Sequence, residues 1–418
     1  MNYTILHFPR NTASLASENN RSLKRIGVSS KAYVIRLDKL VPIYSNESLK
    51  FLSFNVISFS KGFLPEPFPL FNYADARKMI GSFDGPRWKA TVWFLMHWGN
   101  EFVKRVVKRL PGHARIQAWV SELVNRRVRR KLRFFDGVDI IHFYGSATGF
   151  AGDAPEALIR ERHIPGLAAW QGSEVRLPSV EEKTNPYFHL ILEEDGTTPY
   201  ANEEDSYRRQ RQAYDLGFEP LVTAGMRQFI IPEYTGPIHQ IFHPVSIDVK
   251  PRYPEPDVLR PVILHAPSKR KGKGSEFVQH AIETIRPQAD FDYVEITGVT
   301  RAEALKMMQD CDIYIDQLIM GDHGMASLEA MSYGKPVVCY LKPSVVELLP
   351  DDIPIVNATV DDLAERLLEL IKDPQMRHDI GLASRAYVEK YHDPIKTAHR
   401  LDEIYRDVLV RHGFTSDG

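Results

Sequence analysis

Residues 313–338 read as a strand, a glycine turn, a helix, a glycine stop and a second strand, and few folds accommodate that order. Ile313 and Ile315 close a short β-type run, Gly321 and Gly324 punctuate the turn, and Leu328 and Met331 stand three apart, as on one face of a helix. Gly334 falls where the chain leaves the helix, a position that calls for positive φ, and Pro336 forbids further helix. Strand, helix and parallel strand make the βαβ unit of a doubly wound sheet. A helix that begins directly behind a glycine turn presents unpaired N–H groups and the positive end of its dipole, which is a ready phosphate site. Glu329 lies about one turn inside that helix, within reach of a sugar hydroxyl on the same ligand.

The same alternation runs through the rest of the chain. Residues 3–8 read as a strand, 15–26 as a helix ended by Gly27, and 32–35 as a second strand, with Asn11, Thr12 and Ser14 in the first loop. Residues 136–145 form a buried-type strand closing on a glycine turn, 154–161 its crossover helix, and 166–170 the next strand. Two neighbouring strand ends carrying glycine and polar groups are where open parallel sheets take ligands. His142, on the first of them, reads as a structural histidine or a base. A second series starts at residue 261, where a strand feeds the loop Ser268-Lys269-Arg270-Lys271-Gly272-Lys273-Gly274 and a helix over 276–284. That is phosphate chemistry in outline. The loop lacks Walker A spacing and no Gly-x-Gly-x-x-Gly occurs, so neither an ordinary ATPase nor an ordinary dinucleotide domain is expected. Between the two series, the proline-dense residues 250–256 mark the domain boundary.

Together these segments resemble the retaining GT-B glycosyltransferases of the family-4-like group. Glu329-Ala330 and Gly334-Lys335-Pro336-Val337-Val338 match the donor signature, and Lys273-Gly274 matches the Lys-Gly pair that grips a diphosphate. Residues 139–145 and 171–176 resemble two further segments. Departures are visible too. The family carries a first Glu eight residues before Glu329, where this chain has Gly321 with Asp322 beside it as the candidate replacement. Gln171 stands where a histidine is common, Glu174 where an aspartate is common, and Ser268 where an arginine is usual.

The resemblance implies an α/β GT-B fold, two Rossmann-like doubly wound domains facing each other across a cleft. Residues 1–248 would be the acceptor domain, with a basic amphipathic insertion at about 100–133; residues 249–395 the nucleotide-sugar domain; and 396–418 a helix returning to the first domain. It implies a nucleotide-diphosphate sugar as donor, such as a UDP- or GDP-sugar, with no cofactor and no metal. Lys273, Arg270 and Asp322 are the expected catalytic groups. Ser268, Lys269, Gly274, His323, Gly324, Met325, Ala326 and Glu329 would hold the donor, with Glu329 on the ribose. Asn11, Ser146, Gln171, Ser173 and Arg176 would face a glycan or lipid-linked acceptor. Retention of configuration follows from the family alone. Two rivals stay open. A sugar-nucleotide 2-epimerase shares the diphosphate cradle, and a non-catalytic glycan-binding subunit would explain Gly321 and Gln171.

Hydrophobic residues at 43% and charged residues at 26% fit a globular chain, and 418 residues suffice for two cores. A net charge of -1 gives no reason to expect a nucleic-acid partner. With only Cys311 and Cys339, a disulfide framework is excluded and a reduced, cytoplasmic setting is expected. Neither a secretory signal nor a membrane span is expected. Residues 104–133 are strongly basic, with apolar residues at helical spacing, and read either as an amphipathic surface for an anionic membrane or as a solvated helix face. The first reading would make the protein peripheral on the inner face of a membrane and suggests a surface-polysaccharide role. The aromatic residues of 40–100 read as core packing. Asp290-Phe291-Asp292 and Asp310-Cys311-Asp312 spell a metal-binding Asp-x-Asp, but each sits at a strand entrance where an aspartate commonly caps or pairs. Glu193, Glu194 and Asp195 read as a solvated charge run, not a glycosidase pair.

Overall fold

The computed structural model describes residues 2–8, 15–35, 49–52, 135–144, 153–192 and 202–414. Asn11, Ser146, Glu193, Glu194, Asp195, the basic stretch at 104–133 and nearly all of the aromatic stretch lie outside these residues.

The first domain is one parallel sheet. Its strands are β1 (Thr4–Phe8), β2 (Ser29–Ile35), β3 (Leu49–Leu52), β4 (Ile140–Tyr144), β5 (Gly166–Trp170), β6 (Phe218–Val222) and β7 (His239–Gln240). They lie in the order β3-β2-β1-β4-β5-β6-β7, with Ile5 beside Ile140 and His142 beside Leu167. Every residue of β4 and β5 is buried, as expected for strands covered on both faces. The covering helices include α1 (Leu15–Arg25), α2 (Asp153–Arg162), α3 (Pro178–Thr184) and α4 (Glu203–Tyr214).

The second domain repeats the plan with β8 (Val262–His265), β9 (Asp292–Glu295), β10 (Ile313–Ile315), β11 (Val337–Cys339) and β12 (Val356–Asn357), in the order β12-β11-β10-β8-β9. Between them run the short α5 (Arg270–Lys273), then α6 (Ser275–Ile285), α7 (Arg301–Asp310), α8 (Met325–Ser332) and the short α9 (Pro343–Val346). Gly274, at φ +74°, turns the chain from α5 into α6, and an added Cβ there would sit 3.2 Å from Ile319 and Leu318. Gly334 closes α8 at φ +77°, where a Cβ would lie 2.6 Å from the Tyr253 ring, so its absence of a side chain is required twice over. The strand-entrance acids are structural: Asp290 and Asp292 pair with Arg260 at 3.3 and 2.7 Å, and Asp312 accepts the Val262 N–H at 2.8 Å.

After α10 (Leu363–Lys372) and α11 (Pro374–Tyr391), helix α12 (Pro394–Arg411) leaves the second domain and packs on α1. Leu401, Ile404, Tyr405 and Val408, spaced as one helical stripe, join Ile5, Leu15 and Leu23 in the first domain's core. Arg411 reaches Glu219 at 2.6 Å, which fixes the far end of the helix.

The two domains also meet directly through the segment that follows β5. Phe188 and Ile191 pack against Ile319 and Met320. Asn185 donates to the Ile319 carbonyl at 2.8 Å, and Tyr187 donates to Asp361 at 2.7 Å. Beneath them, the Glu181 carboxylate is fully buried between Arg176 of its own domain and Lys342 of the other, the latter at 2.9 Å. Lys342 also donates to Thr184 at 3.1 Å, and both cations lie over the Phe229 ring, at 5.1 Å for Arg176 and 5.4 Å for Lys342. Removing the one carboxylate leaves two buried cations without their counter-ion, a change that costs about 3–5 kcal/mol. Glu181→Gln should therefore lower the chemical-denaturation midpoint strongly. Lys342→Met, which leaves Glu181 paired with Arg176, should lower it less.

Candidate active site

A cavity of about 340 Å³ opens between the two domains. Its floor on the second domain is made by the loop after β8 and the turn between β10 and α8, which bring in Ser268, Lys269, Lys273, Asp322, His323, Gly324 and Met325. The first domain supplies Gln171, Ser173 and Arg176 from the turn after β5, together with Thr223 and Met226, and His243 comes from the connection between the domains. Both sets stand at the C-terminal ends of parallel strands, the side on which open α/β sheets bind ligands.

Ten of the expected site residues thus converge on one space, while Arg270, Gly274, Ala326 and Glu329 do not line it. Arg270 is not among the residues that line the cavity and pairs with Glu295 at the end of β9. Gly274 acts in the turn, and Ala326 packs against the second domain's core. Glu329 does not line the cavity; its carboxylate pairs with Arg301 on α7, and burial raises its pKa above the usual value.

The anion site expected at the mouth of α8 is partly filled from within the protein. Asp316, directly after β10 and only 2% exposed, accepts from the Gly324 N–H at 3.2 Å and the Ser327 hydroxyl at 2.6 Å, and pairs with the Lys273 ammonium. Burial by itself would raise this carboxyl, but the charge of Lys273 and these hydrogen bonds outweigh it and hold it below its ordinary value. Gly324 is therefore not a free donor to phosphate, which corrects the expectation. Residues Met325 and Ala326, in the first helical turn, have no helical acceptor for their N–H groups. Sequence reasoning missed Asp316, although a lone acid ending an apolar strand just before a glycine turn is a readable signal.

Gly321 is a position where a side chain would be costly. It sits at φ +71°, with the Lys342 side chain 3.0 Å from where a Cβ would be, so a glutamate would be strained and crowded. Asp322 does face the cavity. Its Oδ1 accepts the His323 N–H at 2.8 Å, while Oδ2 would lie 1.9 Å from a Cβ on Gly225 of the other domain. Glu174 folds back to accept the N–H groups of Gln171 and Gly172 at 2.5 and 3.1 Å, which shapes the turn that presents Ser173.

His142 is a structural residue. Its Nδ1 meets the Tyr405 hydroxyl at 2.5 Å, its ring stacks on Tyr144 at 4.3 Å, and burial holds its pKa well below the ordinary value. The space beside it is about 20 Å³, enough for one water and no substrate.

Residues 291–387 match the family described as "Glycosyl transferases group 1". The chain has the two-domain GT-B fold, and the residues that match that family lie in its second domain. Its fold is similar to that of sucrose-phosphate synthase from Thermosynechococcus elongatus, with 11% identity, a TM-score of 0.60, and coverage of 98% of this chain and 100% of that one. It is similar again to Anabaena HepE, solved in complex with UDP, with 14% identity, a TM-score of 0.51, and coverage of 97% and 100%. No curated protein matches the sequence at a significant level. Among the described residues, no helix is long and apolar enough to cross a membrane.

Burial is the largest influence on Asp322 and raises its pKa; His323, Arg176 and Lys342 offset only part of that. A carboxyl whose folded pKa lies above its unfolded value binds protons more tightly when folded, so its ionisation opposes folding at neutral pH. Asp322→Asn should therefore raise the melting temperature of the protein at pH 7. The gain should shrink as the pH falls through the folded pKa of Asp322 toward its unfolded value of 3.8, where the wild-type group is also neutral.

Proposed function

We propose that this protein is a glycosyltransferase that moves a sugar from a nucleotide-diphosphate sugar to a glycan or lipid-linked acceptor, with retention of configuration. One observation carries the reading. A single cavity joins a lysine loop and a helix mouth from one domain to the polar turn after β5 from the other. The diphosphate would lie against Lys273, Lys269 and the N–H groups of Met325 and Ala326, where fixed positive charge stabilises the charge that develops as the sugar leaves. The Lys273 ammonium, with one of its three donors on Asp316, has others to offer. Glu329 would receive the ribose hydroxyls, which requires it to loosen from Arg301. Asp322 and His323 would face the transferred sugar, and Gln171, Ser173 and Arg176 the acceptor. In this reading lysine and main-chain donors take the part that a divalent ion plays elsewhere, so catalysis needs no metal. The basic residues of 104–133 support an acceptor presented at an anionic membrane surface, as in surface-polysaccharide synthesis, with the enzyme peripheral on the cytoplasmic side.

A ligand that binds only the native state raises its melting temperature by mass action. UDP or GDP should do so here, and the matching nucleoside should do much less. Lys273→Met should abolish most of the difference, and turnover with the donor so identified should survive EDTA. A wild-type protein indifferent to every nucleoside diphosphate, or silenced by the chelator, would contradict the proposal. Co-sedimentation should be greater with phosphatidylglycerol vesicles than with phosphatidylcholine ones; equal recovery would remove the membrane surface from it.

A further inference from the structure

We infer that Asp316 is the positioning residue of the diphosphate site: it sets where the Lys273 ammonium stands relative to the mouth of α8. This rests on the reading of Lys273 given above and adds to it the group through which that lysine acts. Lysine carries four rotatable bonds, and an ammonium meant to meet a phosphate oxygen in one place must be held against that freedom. Asp316 does so from a rigid point. It follows β10 directly, its N–H bonds the Val338 carbonyl at 3.0 Å, and it is nearly inaccessible to solvent. The same carboxylate takes the Gly324 N–H and the Ser327 hydroxyl, so one group ties the loop of Lys273 to the first turn of α8.

The close approach is also built into the glycine. A Cβ on Gly324 would stand 3.2 Å from Asp316 Oδ2 and 3.6 Å from Lys273 Nζ, so any side chain there would press on the pair. Gln317, next along, hydrogen-bonds the Asp322 carbonyl and carries the same alignment into the turn that faces the sugar. Asp316 itself does not line the cavity, and its effect on a ligand is exerted through Lys273 and the helix.

The test is a double-mutant cycle read by titration calorimetry. Wild type, Asp316→Asn, Lys273→Met and the double variant are titrated with UDP, GDP and ADP and with the three nucleosides. A positioning role predicts that D316N weakens the best-bound diphosphate by about tenfold and leaves its nucleoside within about twofold. It also predicts that D316N adds nothing once Lys273 is gone, because coupled residues are not additive. Unchanged diphosphate affinity in D316N, equal losses for diphosphate and nucleoside, or full additivity with K273M would overturn the inference while leaving the donor reading intact. A wild type that binds no diphosphate would instead overturn that reading, and the inference with it. Should D316N lack a cooperative melting transition, Ser327→Ala takes its place. It removes one hydrogen bond from Asp316 and should weaken the diphosphate by about threefold, and an unchanged affinity would refute the positioning role.

Discussion

Charge buried at the domain boundary decides the geometry of everything in the cleft. Glu181 lies with no solvent contact between Arg176 and Lys342, one cation from each domain, and both cations lie over the ring of Phe229. Such a group is tolerated only while both partners are in place, because an unpaired ion in the interior costs several kcal/mol. It therefore acts as a register mark. The apolar contacts of Phe188 and Ile191 with Ile319 and Met320 supply area without direction, whereas the carboxylate and its two cations permit one arrangement. In that arrangement, Arg176 is delivered to the cavity from one side and the turn of Gly321 to His323 from the other.

The second domain applies the same device on a smaller scale. Its donor turn is held from below by Asp316, which satisfies a helix N–H, a serine hydroxyl and a lysine at once. A carboxylate at the start of α8 is electrostatically favourable there, for the reason a phosphate would be. The consequence is a site in which the lysine is already oriented before any ligand arrives. On the proposed function, preorganised charge of this kind would stabilise a departing diphosphate.

Glycine matters in this cleft where backbones or carboxylates approach closely, and Gly225 and Gly321 show it. Asp322 fits against the first domain only because Gly225 has no Cβ, and Lys342 passes Gly321 at a distance that excludes one. Asp322 lines the cavity one residue further on.

Residues near in sequence determined a good deal by themselves. The βαβ rhythm, the stops at Gly27 and Gly334 and the lysine loop all follow from local propensity and hydrophobic spacing. Those signals act over a few residues and are legible in a string. Convergence of Gln171, Ser173 and Arg176 with Lys273 and Asp322 was legible only through the family resemblance. Only the tertiary structure decided that Arg270 turns to Glu295, that Gly324 spends its N–H on Asp316, that Glu329 pairs with Arg301 and that His142 is sealed against Tyr405. Each of these depends on a partner between eight and more than two hundred residues away, brought close by the sheets and the returning helix. A side chain's choice between neighbours is settled by distance and burial, which one sequence does not contain.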